Sequence, residues 1–217
     1  DCDLEASIRQ SVDECMLNTG QSCDAPTRLL VQKSVYDQAL LFLEKFGSDT
    51  RVGAPSEEGD HIGPLFDEIQ FSRVQKLIKV GIDEGAEILV GGLGKPDGFD
   101  KGWYVRPTIF TGVSNQMRIA QEEIFGPVLV VIPFDTEEEA IEIANDSPYG
   151  LAAYLYSQDK NRCAEVASKL RAGAVHINGG GFNYGSPFGG YKQSGNGREG
   201  GILGLEDYLE TKTLHWG

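Results

Sequence analysis

Short apolar segments of strand type alternate with amphipathic helical segments through most of the chain. Arg28–Gln32, Val128–Phe134 and Ala174–Ile177 carry consecutive apolar residues, which is typical of parallel strands buried on both faces. Residues 3–17 instead carry apolar residues at helical spacing, as an amphipathic helix does. This order predicts an α/β fold with a mostly parallel sheet flanked by helices.

Capping and turn residues indicate where the other elements begin and end. Ser34 is expected to cap a helix that Gly47 closes, and Thr136 followed by Glu139 has the pattern of a capping box at the start of another helix. Further helices are expected at residues 71–82 and 164–170, and further strands at residues 88–90, 104–110 and 151–156.

Glycine becomes dense from Gly179 onward, with Phe182, Tyr184 and Phe188 among the glycines. Such a segment lets the backbone approach a ligand closely while aromatic rings line a pocket. An ordinary irregular surface loop is the alternative. In residues 208–216, the side chains of Leu209, Thr211, Thr213 and His215 alternate with charged or other residues. This pattern predicts an edge strand able to pair with another chain.

Residues 195–200 match the glycine pattern G-x-G-x-x-G. A dinucleotide-binding site also needs a strand before this pattern and a βαβ unit of about 30 residues around it. Residues 191–194 do not have the pattern of a buried strand, and too few residues follow Gly200 to complete the unit. We therefore expect no dinucleotide-binding domain in this chain.

The charge balance and the hydropathy pattern disfavour two classes of partner. With 33 acidic and 19 basic residues the formal net charge is −14, so binding to nucleic-acid phosphates is not expected. The longest apolar run, Val128–Phe134, is far shorter than the about 20 residues that span a bilayer. Residues 1–5 lack a signal-peptide pattern. Neither a nucleic-acid nor a membrane partner is expected.

The four cysteines fit no metal or disulfide framework. No pair has C-x-x-C spacing, so a zinc site is not expected. Their number is too small for a disulfide scaffold, which favours a reducing, cytoplasmic location. Cys2, Cys15 and Cys163 are expected to be small buried residues.

Cys23 differs from the other cysteines because it follows the end of the first helix. It lies within Asn18–Pro26, among small and polar residues and off the apolar stripe of that helix. A nucleophilic thiol needs access and a lowered pKa, which nearby backbone N–H groups can supply. A tight turn can also direct the N–H of Cys23 at a developing oxyanion. A half-buried structural thiol is the alternative.

A second segment, Glu122–Val128, places two acidic residues before Phe125 and a Gly-Pro pair. A carboxylate can accept two hydrogen bonds from a ribose diol, and a neighbouring ring can pack against the sugar. The alternative is a solvated acidic turn with a buried phenylalanine.

Four segments occur together in one order, at residues 18–23, 122–128, 145–151 and 186–195. Together they resemble the aldehyde dehydrogenase superfamily in its NAD(P)-dependent, non-acylating branch. The resemblance runs from Asp1 to Trp216, and the joint occurrence is far more specific than any one segment.

The resemblance implies that Cys23 attacks an aldehyde to form a thiohemiacetal. Hydride transfer to the nicotinamide of NAD or NADP then gives a thioester, which water hydrolyses to the carboxylic acid. Glu123 is implied to bind the nicotinamide ribose, with Phe125 packed near it. Glu199 matches a position associated with proton relay.

The resemblance also implies a substrate pocket shaped by Asp24, Phe182 and Phe188. Residues 1–205 would form the catalytic domain with the nucleophile, and residues 206–217 a strand that takes part in a homo-dimer or homo-tetramer. No metal is implied.

Three parts of the family pattern would precede Asp1. They are the general-base glutamate in a Glu-Leu-Gly-Gly-Lys segment, the asparagine of the oxyanion hole, and the cofactor-binding domain. We therefore expect that these 217 residues alone do not oxidise an aldehyde. Two other functions remain open: a hydrolase or acyltransferase that uses Cys23 with His176, and an interaction module without catalysis.

Overall fold

The computed structural model describes residues 1–217 and contains seven α-helices and six β-strands. The helices are α1 (Leu4–Met16), α2 (Tyr36–Asp49), α3 (Glu68–Asp83), α4 (Arg118–Gln121), α5 (Glu137–Asn145), α6 (Lys160–Lys169) and α7 (Gly201–Glu206). The strands are β1 (Arg28–Gln32), β2 (Glu87–Val90), β3 (Thr108–Thr111), β4 (Val128–Phe134), β5 (Ala152–Leu155) and β6 (Ala174–Ile177). The predicted α/β class is confirmed.

The larger sheet has the strand order β1-β4-β3-β2. Strands β1 and β3 both run parallel to β4, with Leu29 opposite Val131 and Ile109 opposite Leu129, whereas β2 is antiparallel to β3. The sheet is therefore mostly parallel. Its central strand β4 is covered on both faces, which explains its run of consecutive apolar residues.

Alternate residues of β4 belong to two separate hydrophobic cores. Val128 and Val130 pack in one cluster with Val74, Ile78 and other residues of α3. Leu129 and Val131 pack in the other, which contains the apolar stripes of α1 and α2. This division follows from strand geometry, because successive side chains point to opposite faces of a sheet.

The smaller sheet consists of β5 and β6, which are parallel, and no strand of it pairs with the larger sheet. Strands β1 and β5 are therefore edge strands. Between them lies a cleft of about 480 Å³, lined by consecutive residues of both strands. The cleft reaches the turn that carries Cys23.

The start of α2 differs from the prediction. Residues Lys33–Val35 form a 3₁₀ turn, and the helix begins at Tyr36 without a side-chain cap from Ser34. Gly47 does not end the helix, which continues to Asp49. A Cβ at Gly47 would lie 2.6 Å from Ile109 Cδ1, so this glycine allows α2 to approach the sheet closely.

Three further segments differ from the sequence pattern. Strand β3 begins at Thr108 rather than near residue 104, because Pro107 has no N–H for the ladder. Residues Gly201–Glu206 form α7 where only a loop was expected. Residues 209–217 are exposed and form neither helix nor strand in the single chain, so their pairing with another chain stays a prediction.

No helix in the chain has both the length and the apolar content that crossing a bilayer requires.

The turn after α1 has a left-handed backbone at three successive residues. The φ angles of Asn18, Thr19 and Gly20 are 51°, 61° and 68°. A Cβ at Gly20 would lie 2.0 Å from the carbonyl oxygen of Gly126. Only glycine therefore allows this turn to contact the loop that precedes β4.

We expect Gly20→Ala to lower the free energy of unfolding by at least about 3 kcal/mol, because left-handed strain adds to a backbone clash. Urea denaturation measures the loss. Gly94→Ala is the control, since Gly94 also has a positive φ of 91° but no atom within 4 Å of its Cβ position. Its expected loss is about 1–2 kcal/mol. Equal losses for the two variants would contradict the role of the Gly20–Gly126 contact.

Candidate active site

Cys23 lies in a tight turn between α1 and β1. The carbonyl oxygen of Ser22 accepts a hydrogen bond from the N–H of Ala25 at 3.3 Å, which closes the turn around Cys23 and Asp24. The hydroxyl of Ser22 donates to Asp24 Oδ1 at 2.6 Å. The side chain of Cys23 is exposed, and this provides the access that a nucleophile needs.

The other cysteines are less accessible, as the sequence predicts for Cys15 and Cys163. Both are buried, whereas Cys2 is half-buried. Burial raises the pKa of the Cys15 thiol to about 12. Its Sγ contacts the carbonyl oxygen of Val128 at 3.6 Å, so this residue is part of the packing between α1 and β4.

Residues before Cys23 are held by the loop that leads into α3. The hydroxyl of Thr19 and the backbone of Gly63 exchange two hydrogen bonds, each 3.1 Å long. Gln21 Oε1 accepts from the N–H of Phe66 at 2.9 Å, and Gln21 Nε2 donates to the carbonyl of Asn18 at 3.2 Å. The conformation of the Cys23 turn therefore depends on contacts distant in sequence.

The pKa of the Cys23 thiol is raised above its ordinary value. Burial is the largest cause, and the carboxylates of Asp24 and Glu123 raise it further. The backbone N–H groups of Cys23 and Asp24 act in the opposite direction. The lowered pKa that the sequence predicts is wrong for this chain, because two N–H dipoles do not outweigh partial burial and two negative charges.

The Glu123–Phe125 loop lies at the same end of the sheet as the Cys23 turn. The turn leads into β1 and the loop leads into β4, and these two strands are parallel neighbours. Cys23, Asp24, Glu123 and Phe125 consequently line the same cleft. The topology thus brings together four of the seven predicted site residues.

Two residues that the sequence analysis missed hold this loop. Gln70 Nε2 donates to the carbonyl oxygens of Ile124 and Phe125, at 3.0 and 2.7 Å. Arg73 donates to the carbonyl oxygen of Glu123. The pair is three residues apart on α3 and so shares one face of the helix. In the sequence, the only sign of this role is two polar residues at this spacing beside the apolar stripe of α3.

The two acidic residues of the loop have different partners. Glu122 accepts a hydrogen bond from Arg118, and this bond is the main reason that the pKa of Glu122 is lowered. The carboxylate of Glu123 accepts no hydrogen bond within the chain. Of the two, only Glu123 combines a free carboxylate with a position beside Phe125 in the cleft, so it is the better candidate to bind a diol.

Glu199, Phe182 and Phe188 form a separate group in the glycine-rich segment. The backbones of Phe188 and Glu199 exchange hydrogen bonds of 2.7 and 2.8 Å. The rings of Phe182 and Phe188 pack edge to face with centroids 5.7 Å apart. None of the three lines the cleft that contains Cys23, and their predicted roles stay predictions.

His176 is engaged elsewhere. Its Nδ1 lies 2.7 Å from the carbonyl oxygen of Gly180, and its ring stacks on Tyr154 with centroids 4.9 Å apart. No hydrogen bond joins His176 to Cys23. The arrangement therefore lacks the histidine–thiol contact that a cysteine hydrolase requires.

We expect Asp24→Asn to increase the alkylation rate of Cys23 near neutral pH by about two- to fivefold. Removing a neighbouring negative charge stabilises the thiolate and lowers the thiol pKa, while the asparagine oxygen can still accept from Ser22. Iodoacetamide labelling with mass-spectrometric mapping measures the rate. Asp97→Asn is the control, because that carboxylate is fully exposed and pairs with Arg106. A slower rate for Asp24→Asn would contradict this electrostatic account.

Comparison with known proteins identifies the family. A family model described as the aldehyde dehydrogenase family matches residues 1–214. The 3-succinoylsemialdehyde-pyridine dehydrogenase of a Pseudomonas species is 50% identical over 214 residues, which are 99% of this chain and 45% of that protein. The chain thus spans about half the length of the curated relatives that it matches.

Solved structures give the same result. A mutant of aldehyde dehydrogenase C from Pseudomonas syringae, in complex with NAD+ and octanal, superposes with a TM-score of 0.96 at 46% identity and covers 98% of this chain and 44% of that one. The NAD+ complex of a Mycobacterium tuberculosis aldehyde dehydrogenase has a TM-score of 0.93 at 47% identity and covers 96% of this chain and 43% of that one. The chain belongs to the aldehyde dehydrogenase family.

Proposed function

We propose that this chain is the nucleophile-bearing part of an enzyme that oxidises an aldehyde to a carboxylic acid with NAD+ or NADP+. One observation carries the proposal: the exposed thiol of Cys23 shares a cleft with the free carboxylate of Glu123. A soft nucleophile and a group suited to a ribose diol are thereby adjacent. The NAD+ complexes among the related structures also support this function.

Cys23 carries the covalent chemistry. Its thiolate adds to the carbonyl carbon, a C–S bond forms, and the carbonyl oxygen takes the negative charge. The N–H groups of the turn stabilise that charge. Loss of hydride from the resulting thiohemiacetal gives a thioester on Cys23. Water then attacks the thioester carbon, which releases the acid and restores the thiol.

Glu123 and Phe125 are the residues of this chain that would hold the cofactor. The carboxylate of Glu123 accepts two hydrogen bonds from a ribose diol, and the ring of Phe125 packs beside the sugar. The nicotinamide, when bound, supplies a hydride acceptor for two electrons. Gln70 and Arg73 keep the loop in position through its backbone carbonyls.

The remaining assignments are part of the same proposal. Asp24, Phe182 and Phe188 shape the pocket for the aldehyde, and Glu199 relays protons. Residues 1–205 form the catalytic domain. Residues 206–217 pair with a second subunit in a homo-dimer or homo-tetramer, and the exposed side chains of this segment support such a contact. The enzyme is cytoplasmic, where an accessible thiol stays reduced.

We expect an activated aryl ester, used in limiting amount, to acylate Cys23 in preference to the other cysteines. Mass spectrometry of the acylated chain measures the distribution. Cys23→Ser should abolish this acylation, and Cys163→Ser should leave it unchanged, because Cys163 is buried. Acylation spread evenly over all four cysteines would contradict the assignment of Cys23.

We also expect these 217 residues alone to produce no reduced nicotinamide from an aldehyde and NAD(P)+, because they span only about half the length of the related dehydrogenases. Absorbance of reduced nicotinamide measures turnover. An aldehyde-dependent rise that Cys23→Ser abolishes would overturn this expectation.

A further inference from the structure

The turn that carries Cys23 is tied to the smaller sheet by one side chain. The hydroxyl of Tyr154, in β5, donates to the backbone carbonyl of Asp24 at 3.0 Å. The two sheets share no strand pairing, so this hydrogen bond crosses the cleft between them. Its acceptor belongs to the residue that directly follows the proposed nucleophile.

The side chain of Tyr154 is itself held in place, so it can restrain the Asp24 carbonyl to which it donates. It stands opposite His176 in the β5–β6 register, and the two rings stack with an interplanar angle of 18°. Nδ1 of His176 lies 2.7 Å from the carbonyl of Gly180, and because a carbonyl only accepts, this nitrogen carries the proton. Partial burial raises the pKa of the Tyr154 hydroxyl above its usual range, which keeps it protonated and able to donate.

We propose that Tyr154 is a positioning residue for Cys23: by holding the Asp24 carbonyl, it fixes the turn so that the N–H groups of Cys23 and Asp24 stay directed at the sulfur. This inference rests on the proposed role of Cys23 as nucleophile. The carbonyl of Asp24 shares a peptide plane with the N–H of Ala25, which closes the turn by donating to the carbonyl of Ser22. Holding this plane therefore restrains the turn on its C-terminal side. A loosened turn would move the N–H dipoles away from the thiolate.

The charges around the sulfur make these N–H groups important. Asp24, in the same turn, and Glu123, in the loop before β4, both disfavour the thiolate. Tyr154 faces Cys23 from β5 and is neutral, and Glu14 of α1 adds negative charge near Tyr154. The N–H groups of Cys23 and Asp24 are the groups that favour the thiolate. Losing their alignment should therefore raise the thiol pKa further.

Tyr156 provides a matched control. It borders the same cleft and is close in sequence to Tyr154. Its hydroxyl is buried near Ser11 and forms no hydrogen bond with the Cys23 turn. Tyr156→Phe thus removes the same atom as Tyr154→Phe without removing a bond to the Cys23 turn.

The test is the pH dependence of Cys23 alkylation in the 217-residue chain, with iodoacetamide as the probe and mass spectrometry to locate the label. Tyr154→Phe should move the midpoint upward by about half to one pH unit, which is a three- to tenfold loss of rate near neutral pH. The limiting rate at high pH should change little, because the thiolate itself remains accessible. Tyr156→Phe should follow the wild-type curve.

A double-mutant cycle tests the contribution of His176. His176→Leu removes the ring against which Tyr154 stacks, and should shift the midpoint in the same direction by a smaller amount. In the Tyr154→Phe background it should add little, because both changes act through one hydrogen bond. If the midpoint shifts of the two variants were fully additive, His176 would not act by supporting Tyr154.

The two proposals fail in different ways. An unchanged midpoint in Tyr154→Phe overturns the positioning role even if the aryl ester acylates Cys23 selectively. A fall in the limiting rate without a midpoint shift, accompanied by labelling of buried Cys15 and Cys163, indicates general loosening and also overturns it. Unselective acylation by the ester in the wild-type chain overturns the nucleophile assignment, and with it the inference.

Discussion

The approach of Gly20 to the carbonyl of Gly126 is the contact on which the candidate site depends. It leaves no room for a side chain, and it requires the left-handed backbone that begins at Asn18. Since β1 and β4 are parallel neighbours, the segments before them meet at one end of the sheet. The contact fixes the distance between the turn before β1 and the loop before β4. Cys23 and Glu123 therefore line one cleft and do not merely lie at the same end of the sheet.

The sequence predicted those elements whose burial pattern is local. Strands β1, β4 and β6 have the predicted bounds, and Thr136 caps α5 through the N–H of Glu139 as its spacing indicates. The failures depend on tertiary contacts. Gly47 resembles a helix stop, yet its lack of a side chain serves packing against Ile109. Propensity rules do not contain such a contact.

For the candidate site as well, the sequence indicates the residues with a local pattern and misses those that depend on tertiary contacts. Cys23 and Glu123 are candidates from the sequence because a thiol and a carboxylate can act directly and these two stand in distinctive segments. Gln70, Arg73 and Tyr154 act through the backbone carbonyls of other segments. A carbonyl has no signature in the sequence, and its direction is known only once the fold is known. Positioning residues are therefore the part of a site that sequence patterns miss.

The division of the hydrophobic core also determines how the chain opens. Strand β4 contributes alternate residues to both clusters, so its amides can exchange with solvent only when both faces separate, which amounts to global unfolding. Strands β5 and β6 contribute no residue to either cluster. We therefore expect them to form a cooperative unit of lower stability, in which the amides of β5 exchange before those of β4.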